Sequence, residues 1–135
     1  MKPIVKNIMA VIAGIILGSI VNMGIVSISG QIIPPPEGVD VNDLESLKSS
    51  AHLFEAKHFI FPFLAHALGT LVGALFAAKI AASHKMKMAM IIGFFFLLGG
   101  ITMAFMVPAP SWFIFLDLGL AYIPMARIGG NIGSR

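Results

Sequence analysis

The sequence predicts an all-α, polytopic membrane protein: an antiparallel bundle of four transmembrane helices, with an additional amphipathic helix in the first outer loop. Two observations lead to this fold class. Hydrophobic residues make up 58% of the 135 residues and charged residues 11%, with a mean hydropathy of +0.95, whereas roughly a quarter of the residues in an ordinary soluble chain are charged. In addition, four apolar runs reach the length of about 20 residues that a helix needs to cross the hydrocarbon layer. We therefore expect a single membrane domain over residues 1–135.

Short polar segments divide the chain into its predicted spans. These cover residues 7–29, 58–82, 86–107 and 111–130. Lys2 and Lys6 precede the first run, as basic residues precede the core of a secretory signal, but the run is longer than a signal core and we expect it to be retained as a span. Only a few residues connect the second span to the third and the third to the fourth, so these neighbours are expected to pack antiparallel.

The long connection, residues 31–57, is predicted to lie outside the membrane and to contain its own helix. It opens with three prolines, Pro34 to Pro36, which favour a stiff, extended backbone. After Gly38, apolar residues recur at intervals of three and four, and Asp40 or Asn42 is placed to cap a helix. The recurring apolar residues are Leu44, Leu47, Ala51 and Phe54. This pattern is typical of an amphipathic helix on the membrane surface.

The distribution of charge predicts the orientation of the chain. Seven basic residues fall on one side of the predicted spans: Lys2, Lys6, Lys79, Lys85, Lys87, Arg127 and Arg135. The other side carries two basic residues, Lys48 and Lys57, against five acidic ones, a net charge of −3; the acidic residues are Glu37, Asp40, Asp43, Glu45 and Glu55. Because basic residues are retained in cytoplasmic loops, both termini are expected in the cytoplasm, residues 31–57 outside, and the protein in the plasma (inner) membrane.

Two pairs of glycines predict where helices touch. Gly14 and Gly18 in the first span, and Gly69 and Gly73 in the second, each have three residues between them. Between helices in lipid there is little hydrophobic driving force, so close approach depends on such small residues. We expect these four glycines to serve helix packing.

A polar layer is predicted inside the membrane from Asn22, His66 and Asp117. Counted from the ends of their spans, the three residues lie about 10, 12 and 9 Å below the outer boundary. A carboxylate in hydrocarbon costs roughly 3 kcal/mol or more, so Asp117 should face the interior, with His66 as its partner. Two interpretations remain open: contacts that fix the helix register, or a proton-relay, ligand or ion site open to the outer side.

A second, weaker candidate site lies at the outer rim. His52, Glu55 and His58 recur every three residues and, on one helix, would offer nitrogen and oxygen ligands to a divalent metal. The alternative is a solvated helix face. The chain has no cysteine, which excludes thiolate ligands and thiol nucleophiles, and nothing else in the sequence requires a cofactor.

Three classes of function follow from these patterns. The first is a small transporter or channel-like protein that uses the polar layer and assembles as a homo-oligomer or with a membrane protein partner, because four short helices rarely enclose a pathway. The second is an accessory or scaffold subunit of a membrane complex, and the third a membrane metal-binding protein or enzyme. Enzymatic activity is less favoured because no nucleophile or phosphate-binding motif is present. The dispersed basic residues exclude a nucleic-acid interface.

Overall fold

The computed structural model describes all residues, 1–135, and every regular element in it is helical. The six α-helices are α1 (Pro3–Ile32), α2 (Leu44–Ser49), α3 (Ile60–Ile80), α4 (Lys85–Met106), α5 (Ser111–Leu120) and α6 (Ile123–Gly133). Two short 3-10 helices, Ala51–Leu53 and Ala56–Phe59, precede α3. Four helical segments are long and apolar enough to cross a membrane: α1, Ala56–Ile80, α4 and Ser111–Gly133. The prediction of an all-α chain with four such helices is confirmed.

The helices alternate in direction, which gives the molecule two distinct ends. We call the end that carries residues 33–59 and the 107–110 connection the loop end, and the end that carries residues 81–84 and both chain termini the turn end. At the turn end, the Asn7 side chain accepts hydrogen bonds from the backbone N–H groups of Ala82 (2.8 Å) and Ser83 (3.2 Å) and donates one to the Ser83 hydroxyl (3.1 Å). The beginning of α1 is thereby held beside the end of α3.

Glycine-to-backbone contacts hold α1 and α6 against α3. A Cβ atom on Gly14 would lie 2.6 Å from the carbonyl oxygen of Gly73, and one on Gly18 would lie 2.6 Å from that of Gly69. On the other side of α3, any Cβ atom on Gly129 or Gly133 of α6 would overlap an α3 carbonyl. The spacing of these α6 glycines did not predict the contact. Side chains larger than hydrogen would separate the helices at all these points.

The larger of two core clusters lies in the turn-end half of the molecule. The buried residues in and around it are mainly alanines and glycines of α3 and α6, with Ala10, Gly14 and Gly18 from α1 and Ala89, Ile92 and Gly93 from α4. No residue of α1 beyond Gly18, and none of α4 beyond Gly93, is buried. Since α1 and α4 enter the core only near the turn end, their loop-end halves are free to line a cavity.

Two predicted helices differ from the structure. The fourth span, expected as one helix over 111–130, is interrupted at Ala121 and Tyr122, because Pro124 has no N–H to bond to the Leu120 carbonyl. The outer amphipathic helix is replaced by α2 and the two 3-10 turns, since Phe54 and Glu55 have extended backbones. Asp43 caps α2 by accepting a hydrogen bond from the Glu45 N–H. The predicted caps, Asp40 and Asn42, do not.

Candidate functional site

His66 of α3 and Asp117 of α5 form a hydrogen-bonded pair. Nδ1 of His66 lies 2.8 Å from Oδ1 and 3.0 Å from Oδ2 of the carboxylate. Asp117 is only 5% exposed, whereas the side chain of His66 is 31% exposed. The structure thus brings together the two ionisable residues of the predicted polar layer, with the carboxylate enclosed and the imidazole accessible.

Tyr122, at the interruption between α5 and α6, completes this group. Its hydroxyl donates a hydrogen bond to Oδ2 of Asp117 at 3.3 Å, and its ring stacks on the imidazole with a centroid distance of 5.7 Å and an interplanar angle of 25°. Gly100 of α4 leaves room for the phenol, because a Cβ atom there would lie 2.6 Å from the Tyr122 hydroxyl. Sequence reasoning missed Tyr122 and Gly100. The residue that could have signalled them is Pro124, because a proline inside a helix removes a backbone hydrogen bond.

The arrangement leaves one atom of the group free. Both oxygens of Asp117 are within hydrogen-bonding distance of donors. Nδ1 of His66 is committed to the carboxylate, which makes Nδ1 the protonated nitrogen when Asp117 is ionised. Nε2 forms no hydrogen bond with the protein. Asp117 therefore orients the imidazole and leaves the Nε2 lone pair without a partner in the protein.

A large cavity at the loop end reaches this group. It has a volume of about 640 Å³ and is lined by residues of α1, α3, α4, α5 and the loop, more than half of them hydrophobic. His66 and Asp117 belong to its wall, together with Lys57 and His58 nearer the loop. A volume of this size accommodates a drug-sized molecule, and an apolar wall with few polar groups is typical of small-molecule sites.

A smaller cavity of about 170 Å³ adjoins His66 on another side. Its lining includes Asn22, Thr70 and Tyr122, and His66 and Gly100 contribute to both cavities. Asn22 makes no hydrogen bond with the pair, but its Cβ atom lies 3.2 Å from the position that a Cβ atom would take on Gly69. Asn22 therefore shares the small cavity with His66 without belonging to the hydrogen-bonded group.

The interruption beside the site carries unpaired backbone groups. Ala121 and Tyr122 are buried, yet the Ala121 carbonyl and the Tyr122 N–H make no hydrogen bond within the protein. In spans of membrane proteins, irregular backbone is tolerated where it is buried in protein or lines a cavity. Interrupted spans of this kind form substrate and ion sites in transporters.

The predicted metal ligands at the rim are not brought together. His52 lies in one 3-10 helix, Glu55 precedes the next, and His58 is inside it. Nδ1 of His58 accepts the Glu55 backbone N–H at 2.8 Å, and the Glu55 carboxylate lies 3.4 Å from Nζ of Lys57. No three side chains of the metal-binding types converge anywhere in the chain. The expectation of one helix face bearing three ligands is wrong, because the backbone is not a continuous helix there.

Comparison with protein-family models, with curated proteins and with solved structures finds no match for this chain.

Proposed function

We propose that this protein is a small membrane transporter or channel-like protein, and that a small solute or ion binds in the loop-end cavity beside His66 and Asp117. The observation that carries the proposal is the position of the pair: a buried carboxylate and a partly exposed imidazole, 2.8 Å apart, in the wall of a cavity of about 640 Å³. Ionisable residues within spans are expensive in lipid and commonly mark substrate or proton pathways.

The alternative, a pair that only fixes the helix register, accounts less well for the free side of the imidazole. Fixing the register requires only the contact between Nδ1 and the carboxylate and gives no role to the second ring nitrogen. His66 leaves Nε2 unbonded and contributes to two cavities. The unpaired backbone at Ala121 and Tyr122 supports the same interpretation, since these residues follow Asp117 by only four and five positions.

In a bilayer, the four spans are proposed to form an antiparallel bundle with the loop end outside and both termini in the cytoplasm. The seven basic residues at the turn end and the net charge of −3 in residues 31–57 support this orientation. Because the chain has no native cysteine, Lys48→Cys and Lys87→Cys each create a unique label site. A membrane-impermeant maleimide should label the first variant in intact cells and the second only after permeabilisation. The reverse pattern would overturn the orientation.

Several copies are proposed to act together, because the cavity of one chain does not extend to the turn end, where small residues pack without space. A pathway across the membrane then requires either a second copy or a change of helix packing. Mass measurement of the protein in lipid nanodiscs distinguishes a homo-oligomer from a monomer.

The function is tested by solute flux in proteoliposomes. Asp117→Asn and His66→Ala should abolish flux while the protein still elutes as one species with little change in its unfolding temperature. His52→Ala is the matched control, because that histidine is exposed and lies outside the cavity lining. Flux in the Asp117 and His66 variants equal to that of the wild type would refute the proposed site.

A further inference from the structure

We propose that the ligand of the loop-end cavity is a lipophilic cation, an apolar molecule carrying a protonated amine, and that this cation and a proton exclude each other at the His66–Asp117 pair. The inference rests on the proposed function and adds the chemical class of the ligand and the basis of its coupling to protons. It follows from the charges that face the cavity and from the nature of its wall.

The pair carries a net negative charge when its imidazole is neutral. With an ionised Asp117 accepting from Nδ1 of His66 and from Tyr122, a neutral imidazole leaves one net negative charge in a largely enclosed place. The accessible atom, Nε2, is a hydrogen-bond acceptor. A protonated amine complements both the negative charge and the acceptor, because it neutralises the charge of the pair and donates an N–H to Nε2. Outside bulk water, this attraction between opposite charges is stronger than in solution.

The other groups around the cavity do not cancel that charge. The remaining ionisable residues in its lining are Lys57 and His58, both near the loop, and neither α1 nor α4 contributes any. Nζ of Lys57 lies 3.4 Å from the Glu55 carboxylate, so its charge already has a partner. His58 is engaged through Nδ1 with the Glu55 N–H. A bound ligand must therefore neutralise the negative charge of Asp117.

The loop adds a longer-range attraction for cations. Residues 31–57, seven of which line the cavity, carry five acidic and two basic residues. A net negative field at the entrance of a cleft concentrates cations there and repels anions. An anionic ligand would meet repulsion at the entrance as well as at Asp117.

The apolar wall argues against a bare inorganic cation. Met23, Val26, Met103, Phe113 and Leu118 line the cavity, and none of them offers an oxygen ligand. Mg²⁺ and Ca²⁺ require six or more oxygen ligands in an ordered shell, and no cluster of three metal-binding side chains occurs. An amine with a hydrophobic body instead buries apolar surface against the wall while its charged end reaches the pair.

A proton and the amine compete because both bind the same free nitrogen, Nε2 of His66. A proton that binds Nε2 converts the imidazole to imidazolium, which brings the net charge of the pair to zero and replaces the acceptor with an N–H donor. The ammonium group then has neither its acceptor nor its opposite charge. When the amine leaves, a proton from cavity water takes its place, and when the amine returns, that proton goes back to the water.

The test is equilibrium binding to the full chain in lipid nanodiscs, with protein-free nanodiscs to subtract partition into lipid. Three probes share one fluorophore and one alkyl chain and end in a primary amine, a hydroxyl or a carboxylate. At pH 8 the amine should bind about tenfold or more tightly than the hydroxyl probe, and the carboxylate probe should be weakest. When the pH is lowered from 8 to 5.5, more protons compete for Nε2, so affinity for the amine should fall while affinity for the hydroxyl probe changes little.

Variants identify the groups responsible. Asp117→Asn keeps the shape of the side chain and removes its charge, so it should abolish the preference for the amine but retain binding of the hydroxyl probe. His52→Gln is the matched control, because it removes a histidine that is exposed and lies outside the cavity lining, so it should leave both the preference and the pH dependence intact.

The outcomes separate the two proposals. Equal binding of amine and hydroxyl probes to the wild type refutes the cation class and leaves the cavity as a solute site. Absence of binding by all three refutes the cavity as a site for such solutes and the cation class with it. If Asp117→Asn does not fold, binding of the three probes to the wild type still tests whether the ligand is a cation.

Discussion

Nδ1 of His66 lies within hydrogen-bonding distance of both carboxylate oxygens of Asp117, at 2.8 and 3.0 Å. The two residues are 51 positions apart in the chain and belong to different spans. The contact commits one ring nitrogen to the carboxylate and leaves the other without a partner in the protein. Tyr122 and Gly100 hold this pair in place, and glycine contacts set the helices around it.

Tyr122→Phe should weaken ligand binding moderately without loss of the fold. The substitution removes the hydroxyl that donates to Asp117 but keeps the ring that stacks on His66. A single hydrogen bond of this kind contributes on the order of 1 kcal/mol, so a several-fold loss of affinity is expected in the nanodisc assay. Ser27→Ala is the control, because Ser27 also lines the cavity but donates its hydroxyl to the Met23 carbonyl of its own helix. Equal effects of the two substitutions would contradict the role assigned to Tyr122.

Gly100→Ala should disturb the site more than the neighbouring substitution Gly99→Ala. A methyl group on Gly100 meets the Tyr122 ring and hydroxyl at 2.6 to 2.8 Å, whereas nothing lies within 4 Å of a methyl group on Gly99. The first variant should therefore displace Tyr122 and reduce affinity at least as much as Tyr122→Phe. The second should bind like the wild type. Both measurements use the same assay, and identical affinities would show that Gly100 does not position the phenol.

Gly14→Leu should destabilise the fold strongly. The Cβ atom alone would come 2.6 Å from the Gly73 carbonyl and 2.9 Å from the Ile92 side chain, so α1 must move away from α3. Overpacking of this kind typically costs about 1–3 kcal/mol, and occasionally more. Gly24→Leu in the same helix is the control, since that position is open and leucine favours the helix. Thermal unfolding in detergent should show a lower midpoint for the first variant only.

Asn7→Ala should loosen the turn end. The substitution removes three hydrogen bonds to the connection between α3 and α4 and leaves the N–H groups of Ala82 and Ser83 without this partner. We expect a loss on the order of 1–2 kcal/mol, together with faster hydrogen exchange at both amides. Asn131→Ala should have no such effect, because Asn131 is exposed and makes no side-chain hydrogen bond. Unchanged exchange in the Asn7 variant would mean that the turn is held by other contacts.

Parts of the site could be predicted because they depend on distance along a helix. The rise of about 1.5 Å per residue placed His66 and Asp117 at a common level, and the cost of a carboxylate in lipid indicated that Asp117 faces inward. The same counting placed Asn22 at that level, but Asn22 forms no hydrogen bond with the pair. The depth of a residue follows from its position along its helix, whereas its contacts with other helices also depend on the rotation of each helix about its axis.

Rotation is poorly encoded in this sequence because the spans are apolar on all sides. In a soluble helix, the hydrophobic face points to the core, but a helix in lipid has apolar residues on its outer face as well. Tyr122 and Gly100 are 22 positions apart, and their contact depends on how α4 and α5–α6 are rotated. Gly129 and Gly133 were missed for the same reason, since nothing in the sequence of α6 identifies α3 as its neighbour.

The sequence by itself determined the helical class and the four apolar segments, because length and hydropathy are properties of each segment alone. It also determined which residues are costly to place in lipid. Only the tertiary structure decided that Tyr122 joins the His66–Asp117 pair, that Asn22 does not, and that the outer helix is broken at Phe54 and Glu55. These outcomes depend on packing between segments distant in the chain, where a single methyl group on a glycine determines whether two backbones can touch.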